Sequence, residues 1–155
     1  MGFTRYWTLN LQGSEKNYKK ALTDIRKIVK AKTNILAGGH GEGKPNLKGN
    51  ICFNGIGPDQ DHETFLLCKI LSDSPDSFNF CKTAQKPYDV VVSACLVVLA
   101  HYMGEDVKVS VDGDQEDWVE GVKLANKVLK KKFPNPLDPT SVRFIKESAC
   151  LNKQT

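Results

Sequence analysis

The order of hydrophobic patterns predicts an α+β domain: three main helices packed in two layers on one mostly antiparallel sheet of about five strands. Three observations carry this. Residues 5–11 and 107–111 alternate apolar and polar side chains, the period of a strand. Residues 14–32 and 114–132 repeat apolar side chains every three to four positions, the period of a helix. The elements run strand, helix, three strands, helix, strand, helix, which mixes hairpins with crossovers instead of the regular βα alternation of a parallel sheet.

Arg5-Tyr6-Trp7-Thr8-Leu9-Asn10-Leu11 opens as the first strand. Ser14 then caps a helix whose apolar stripe is Tyr18, Leu22, Ile25, Ile28 and Val29, ending near Lys32. Residues 37–50 are too rich in glycine for regular structure and read as a loop. A second strand is expected over 50–55, a bend over 57–61, a third strand over 63–71, a loop over 72–77, and a fourth strand over 78–83. Pro87 and Gly104 bracket a helix over 87–103, apolar nearly all round, which marks it as the buried central helix. Val107–Val111 is the fifth strand. Asp114 and Asp117 start the last helix, Trp118, Val122, Ala125 and Leu129 line its core side, and Lys130, Lys131 and Lys132 suit its C-terminal dipole. Pro134, Pro136 and Pro139 stop it. The expected organisation is one domain over 1–133 and a tail over 134–155 with a short helix through Val142-Arg143-Phe144-Ile145.

Composition narrows the function classes. The chain has 155 residues, 40% hydrophobic, which is enough for one core of its own and leaves little room for a second domain. No run reaches the roughly 18 apolar residues of a membrane span, so no membrane partner is expected. The start of the chain lacks the pattern of a cleaved signal, and Tyr6 stands where myristoylation of Gly2 wants Ser or Thr. Five cysteines (Cys52, Cys68, Cys81, Cys95, Cys150) without tight spacing read as free thiols in a reducing, cytoplasmic setting. A net charge of +4 permits a polyanion partner without demanding one.

Several motifs begin and break off. Gly38 through Lys44 matches G-x-x-x-x-G-K, but Pro45 stands where the magnesium-holding hydroxyl belongs, and a helix precedes the loop where a strand should. His62-Glu63 lacks the second histidine of H-E-x-x-H, since residue 66 is Leu. Asp59, Asp61 and Glu63, and likewise Asp112, Asp114 and Asp117, do not follow a calcium loop and read as turns and caps. No metal and no cofactor is therefore expected. Cys81 beside Lys82 could be a nucleophile with His62 as its base, although a thiol in an apolar run is more simply buried and inert. Lys16, Lys19, Lys20, Arg26, Lys27, Lys30 and Lys32 make the first helix basic, but they cover most of its polar circumference without a recognised nucleic-acid module, which favours a solvated face.

The best remaining constellation is Phe80-Cys81-Lys82-Thr83-Ala84-Gln85-Lys86-Pro87-Tyr88-Asp89, joining a strand to the start of the central helix. Free amides and the dipole attract an anion there, and Lys82, Thr83 and Lys86 add charge and donors. Arg5, Asn54 and His62 are expected to complete the pocket. The plain alternative is that Asp89 caps the helix, Lys86 is solvated and Tyr88 packs.

Arg5-Tyr6-Trp7, Phe53-Asn54-Gly55, His62-Glu63-Thr64-Phe65, the phrase at 80–89, Asp112-Gly113 and Trp118, taken in order, resemble a family of small uncharacterised proteins scattered through bacteria, fungi and viruses. Gln85 and Val111 depart from the pattern. The resemblance implies membership, with a viral source among the options, and no activity, substrate or cofactor.

Three functional expectations follow. The first is a non-enzymatic binding or accessory domain that takes an anionic small molecule or a protein partner at the start of the central helix. The second is an enzyme acting on a phosphorylated or nucleotide substrate, with His62 or Asp89 as general base and Lys82 and Lys86 stabilising charge. The third is an assembly protein that uses the aromatic N-terminus and the tail. The sequence sets neither the oligomeric state nor the identity of a ligand.

Overall fold

A computed structural model describes residues 2–138 and Thr140. The strands are β1 (Thr4–Leu9), β2 (Leu36–Ala37), β3 (Ile51–Gly55), β4 (Phe65–Leu67), β5 (Phe78–Lys82) and β6 (Val107–Val111). The long helices are α1 (Glu15–Ala31), α2 (Asp89–Met103) and α3 (Val119–Leu129). The α+β class, the three helices and the antiparallel pairing follow the sequence prediction. The sheet does not: in place of one sheet of about five strands there are two of three, ordered β5-β1-β6 and β2-β3-β4, both antiparallel.

Local chemistry explains most element ends. Ser14 accepts a hydrogen bond from Asn17 N and starts α1, whose stripe of Tyr18, Leu22, Ile25, Ile28 and Val29 is buried as its spacing predicts. α2 is buried at every position from Val91 to Leu99. It ends at Gly104, whose φ of 55° is open to glycine at little cost. Before α3, Asp114 and Asp117 form a capping box around a 3-10 turn at Gln115–Trp118, so the acidic run is a cap. The turn into α2 is less ordinary. Ala84 and Gln85 both have positive φ, at 52° and 56°, with Lys86 N bonded to Thr83 O.

The three helices pack on one another, and α2 reaches β1 and β6. Trp7 on β1, Phe53 on β3 and Phe65 on β4 bring the inner faces of both sheets into the same core, with Phe65 5.2 Å from Trp7 and 5.0 Å from Phe53. α2 and α3 approach closely at Gly121, where a side chain would run into Ser93. A third helix junction is polar. The Asp24 carboxylate of α1 accepts from Tyr102 Oη at 2.5 Å and from Lys131 Nζ at 3.1 Å, tying α1, α2 and the end of α3.

The sheet divides because β4 and β5 meet at one end and part at the other. Glu63 N donates to Lys82 O (3.1 Å) while the Glu63 carboxylate accepts from Lys82 N (2.6 Å). Beyond that joint, the chain between the strands is drawn onto α1: Tyr18 Oη donates to Cys68 O, and the Glu15 carboxylate accepts from Leu71 N and Ser72 N. These contacts shorten the strand expected over 63–71 to Phe65–Leu67. Leu36–Ala37, at the edge of the expected glycine-rich loop, instead forms a strand on β3. The short helix expected through Val142–Ile145 lies outside the described residues.

Candidate functional site

The phrases at 5–7, 53–55, 62–65, 80–89 and 112–118 meet at one corner of the molecule, where β1, β5 and the start of α2 join. Arg5, at the centre, is 2% exposed. Its Nε and one terminal nitrogen donate to the two oxygens of Asp89 at 2.8 and 2.9 Å, and that terminal nitrogen also donates to Asp117 O at 2.8 Å. The guanidinium lies 4.8 Å from the Trp118 ring and 5.3 Å from Phe3. Its other terminal nitrogen is buried without a hydrogen-bond partner among the described residues. Thr83 donates its hydroxyl to Asp89 Oδ1 at 2.6 Å. The start of α2, where the sequence suggests an anion, thus already holds the Asp89 carboxylate, neutralised by Arg5.

The other expected site residues sit around this pair in separate roles. Asn54, buried on β3, donates to His62 O and Thr64 Oγ1 and accepts from His62 N, so it shapes the loop before β4. His62 itself is exposed. Lys82 is joined through its backbone to Glu63, and its side chain lies against Gly2. Lys86 contributes backbone groups to the turn and to the first bond of α2. Arg5, Thr83 and Asp89 are brought together directly, while the lysine ammonium groups and the imidazole do not join them in a hydrogen-bonded set.

Cys81 is fully buried and its thiol is pushed up to about 12 by desolvation, reinforced by the negative charge of Glu63. A thiol in that state is a poor nucleophile at neutral pH. Tyr88 is also buried, donating to Glu63 O at 2.6 Å, and burial raises its phenol above the ordinary value. The Gly38–Lys44 segment turns back on itself, with Gly38 N bonded to Glu42 O and Gly43 O. It leads to a bridge between Asn46 and Cys52. The lysines of α1 stand mostly in solvent, and Arg26 instead binds Leu47 O and Gly49 O.

A different site opens where β4 and β5 part. A cavity of about 190 Å³ lies there, walled by Trp7 and Leu9 of β1, Tyr18 of α1, Leu66 of β4, and Asn79 and Phe80 of β5. Leu66 is 45% exposed, Phe78 53% and Phe80 56%, so three of the large apolar side chains left in solvent belong to these two facing edges. Phe78 stacks on Tyr6 and adjoins Phe80, making a short aromatic row on the outer face of β5 and β1. Trp7 is 2% exposed, and its indole N–H has no acceptor among the described residues.

Strand parity sets the backbone at these edges. Thr83 N donates to Phe3 O and Leu9 N to Ser77 O, so the odd-numbered residues of β5 pair with β1. Phe78 and Phe80 then point their N–H and C=O away from β1, toward the cleft side. Cys52 pairs with Asn46, so Phe53 and Ile51 face Phe65 and Leu67, and the backbone of Leu66 points away from β3. None of these groups finds a partner among the described residues. The sequence placed Phe80 in the fourth strand and at the head of the 80–89 phrase; the mark of an edge was Phe78 and Phe80 on a period of two.

The chain matches no protein-family model, no curated protein and no solved structure.

Proposed function

We propose that this chain is a non-enzymatic binding domain whose ligand enters the cleft between β4 and β5. One observation carries the reading: a cavity of about 190 Å³ coincides with the exposed apolar side chains Leu66 and Phe80 at its mouth. Scattered apolar residues on a surface need no explanation, but a set gathered beside a cavity favours a place that something else covers.

The start of α2 has less in its favour as an anion site, because Asp89 and Thr83 already satisfy the position an anion would take. The enzymatic reading is also weaker. A general base must be free to take a proton, and the Asp89 carboxylate is engaged by Arg5 and Thr83. The resemblance to a family of small uncharacterised proteins brings no activity with it.

The test is a nuclear magnetic resonance titration of the labelled chain with N-acetylphenylalaninamide and, separately, with inorganic phosphate. Amide shifts are expected around Trp7, Leu66, Asn79 and Phe80 with the first probe, and are expected to vanish in Leu66→Glu. Phosphate shifts confined to residues 83–89 would return the ligand to the helix start. A cleft unmoved by the aromatic probe would refute the proposal.

A further inference from the structure

We propose that the cleft's ligand is an extended polypeptide segment, which adds as a strand to the edge of β5 and places one large apolar side chain in the cavity. This rests on the cleft reading above and goes further, because it assigns the chemistry of the partner.

Three features lead to it. The first is the unmatched backbone. Phe78 and Phe80 together present two N–H donors and two C=O acceptors on the side away from β1, and Leu66 presents one of each across the cleft. A strand edge of this kind is a template for another main chain, and natural proteins usually cover it or charge it. Here the side chains on it are phenylalanines. Lys82 is the charged residue of β5, and its backbone is already occupied by Glu63.

The second feature is the size of the cavity. Sites that enclose a whole drug-sized molecule run to roughly 300–1,000 Å³. At about 190 Å³, this one suits a side chain presented from outside. An added strand supplies that geometry, because alternate side chains point to opposite faces and one of them can turn inward.

The third is the wedge shape of the gap. The Glu63–Lys82 joint closes one end, while Tyr18 and Glu15 hold the Cys68–Ser72 segment away from β5 at the other. The two edges therefore cannot simply close on each other without giving up those bonds. A strand entering from the Phe78 end would extend the β5-β1-β6 sheet to four strands and cover the Phe80 edge. Trp7, in the wall, carries an indole N–H without a hydrogen-bond partner among the described residues.

The experiment uses the full chain and a phage-displayed library of random heptapeptides with a fixed central Phe or Leu. Binders are expected to enrich on the wild-type chain and not on Leu66→Glu or Phe80→Glu proteins that melt as wild type does. The backbone amides of the best binder are then methylated one at a time. Strand addition predicts a loss of about fivefold or more in affinity at alternate positions and little between them. It also predicts slower hydrogen exchange at the amides of Phe78 and Phe80 in the complex. Equal tolerance of every methylation overturns strand addition and leaves the cleft reading standing. So does a library without cleft-dependent binders when N-acetylphenylalaninamide still shifts cleft resonances. Failure of both the library and the aromatic probe overturns the two readings together.

Discussion

Replacing Arg5 with Met tests whether the Arg5–Asp89 pair holds the fold or awaits a ligand. The guanidinium side chain is 3% exposed and the carboxylate 15%, and they meet at 2.8 and 2.9 Å. Methionine keeps much of the apolar bulk between Phe3 and Trp118 but leaves Asp89 with Thr83 and the start of α2 as its remaining support. Breaking a buried pair by removing one partner costs about 3–5 kcal/mol, because the other charge stays uncompensated. Domains are stable by about 5–15 kcal/mol in all, so this loss is a large fraction of the total. Removing both charges is a different perturbation. Arg5→Met with Asp89→Leu takes away the desolvated charges together, and such replacements are often neutral or stabilising. The double variant is therefore expected within about 2 kcal/mol of wild type, with Thr83 giving up one hydrogen bond. Urea denaturation at pH 7, with the slope checked for constancy, measures all three proteins. A single variant that loses less than about 1 kcal/mol would refute the argument. So would a double variant that loses the sum of both singles. Either result would return Arg5 to the pool of residues free for a ligand.

Three further outcomes follow from the packing and the charges. Overpacking in Gly121→Ala is expected to cost about 1–3 kcal/mol, of which helix propensity returns roughly 1, for a net loss of up to about 2 kcal/mol. The added Cβ would overlap Ser93 Oγ and lie 2.9 Å from Ala94 N; a thermal melt with Ser93→Gly as partial rescue checks this. Burial alone would raise the Asp24 carboxyl, but hydrogen bonds from Tyr102 and Lys131, with the charges of Lys131 and Lys27, hold it below its ordinary value. A lowered folded pKa means that its stabilisation is complete above the unfolded value near 4 and is lost as pH falls through the folded one. Asp24→Asn should therefore lose that part of the acid slope in stability measured between pH 6 and 2. Alkylation by iodoacetamide at pH 8, followed by mass spectrometry, should label Cys52 and Cys68 ahead of Cys81 and Cys95. The latter two are buried, and desolvation pushes the Cys81 thiol up to about 12; prompt labelling of Cys81 in the folded chain would refute its burial.

How much was legible from residues alone depended on how far apart the interacting partners lie. Ser14, Gly104, Asp114 and Asp117 act on neighbours within a few positions, so the helix boundaries could be read from them. The apolar run in α2 could be read as central because burial on all sides requires it. The site corner was half legible. The residues from Phe80 to Asp89 stood out as a unit, but whether Arg5 meets a ligand or Asp89 depends on two positions 84 residues apart.

By itself, the sequence determined the class of the fold, the places of its three long helices along the chain, and the face that α1 buries. Hydrophobic period and capping chemistry are local, and they act before any distant contact forms. Tertiary structure alone decided that the strands would divide into two sheets, that Arg5 would neutralise Asp89, and that a cleft would open beside Leu66 and Phe80. Each of those depends on which distant groups find one another. Tyr18 and Glu15 secure the Cys68–Ser72 segment against α1, and that attachment keeps β4 from completing its ladder with β5.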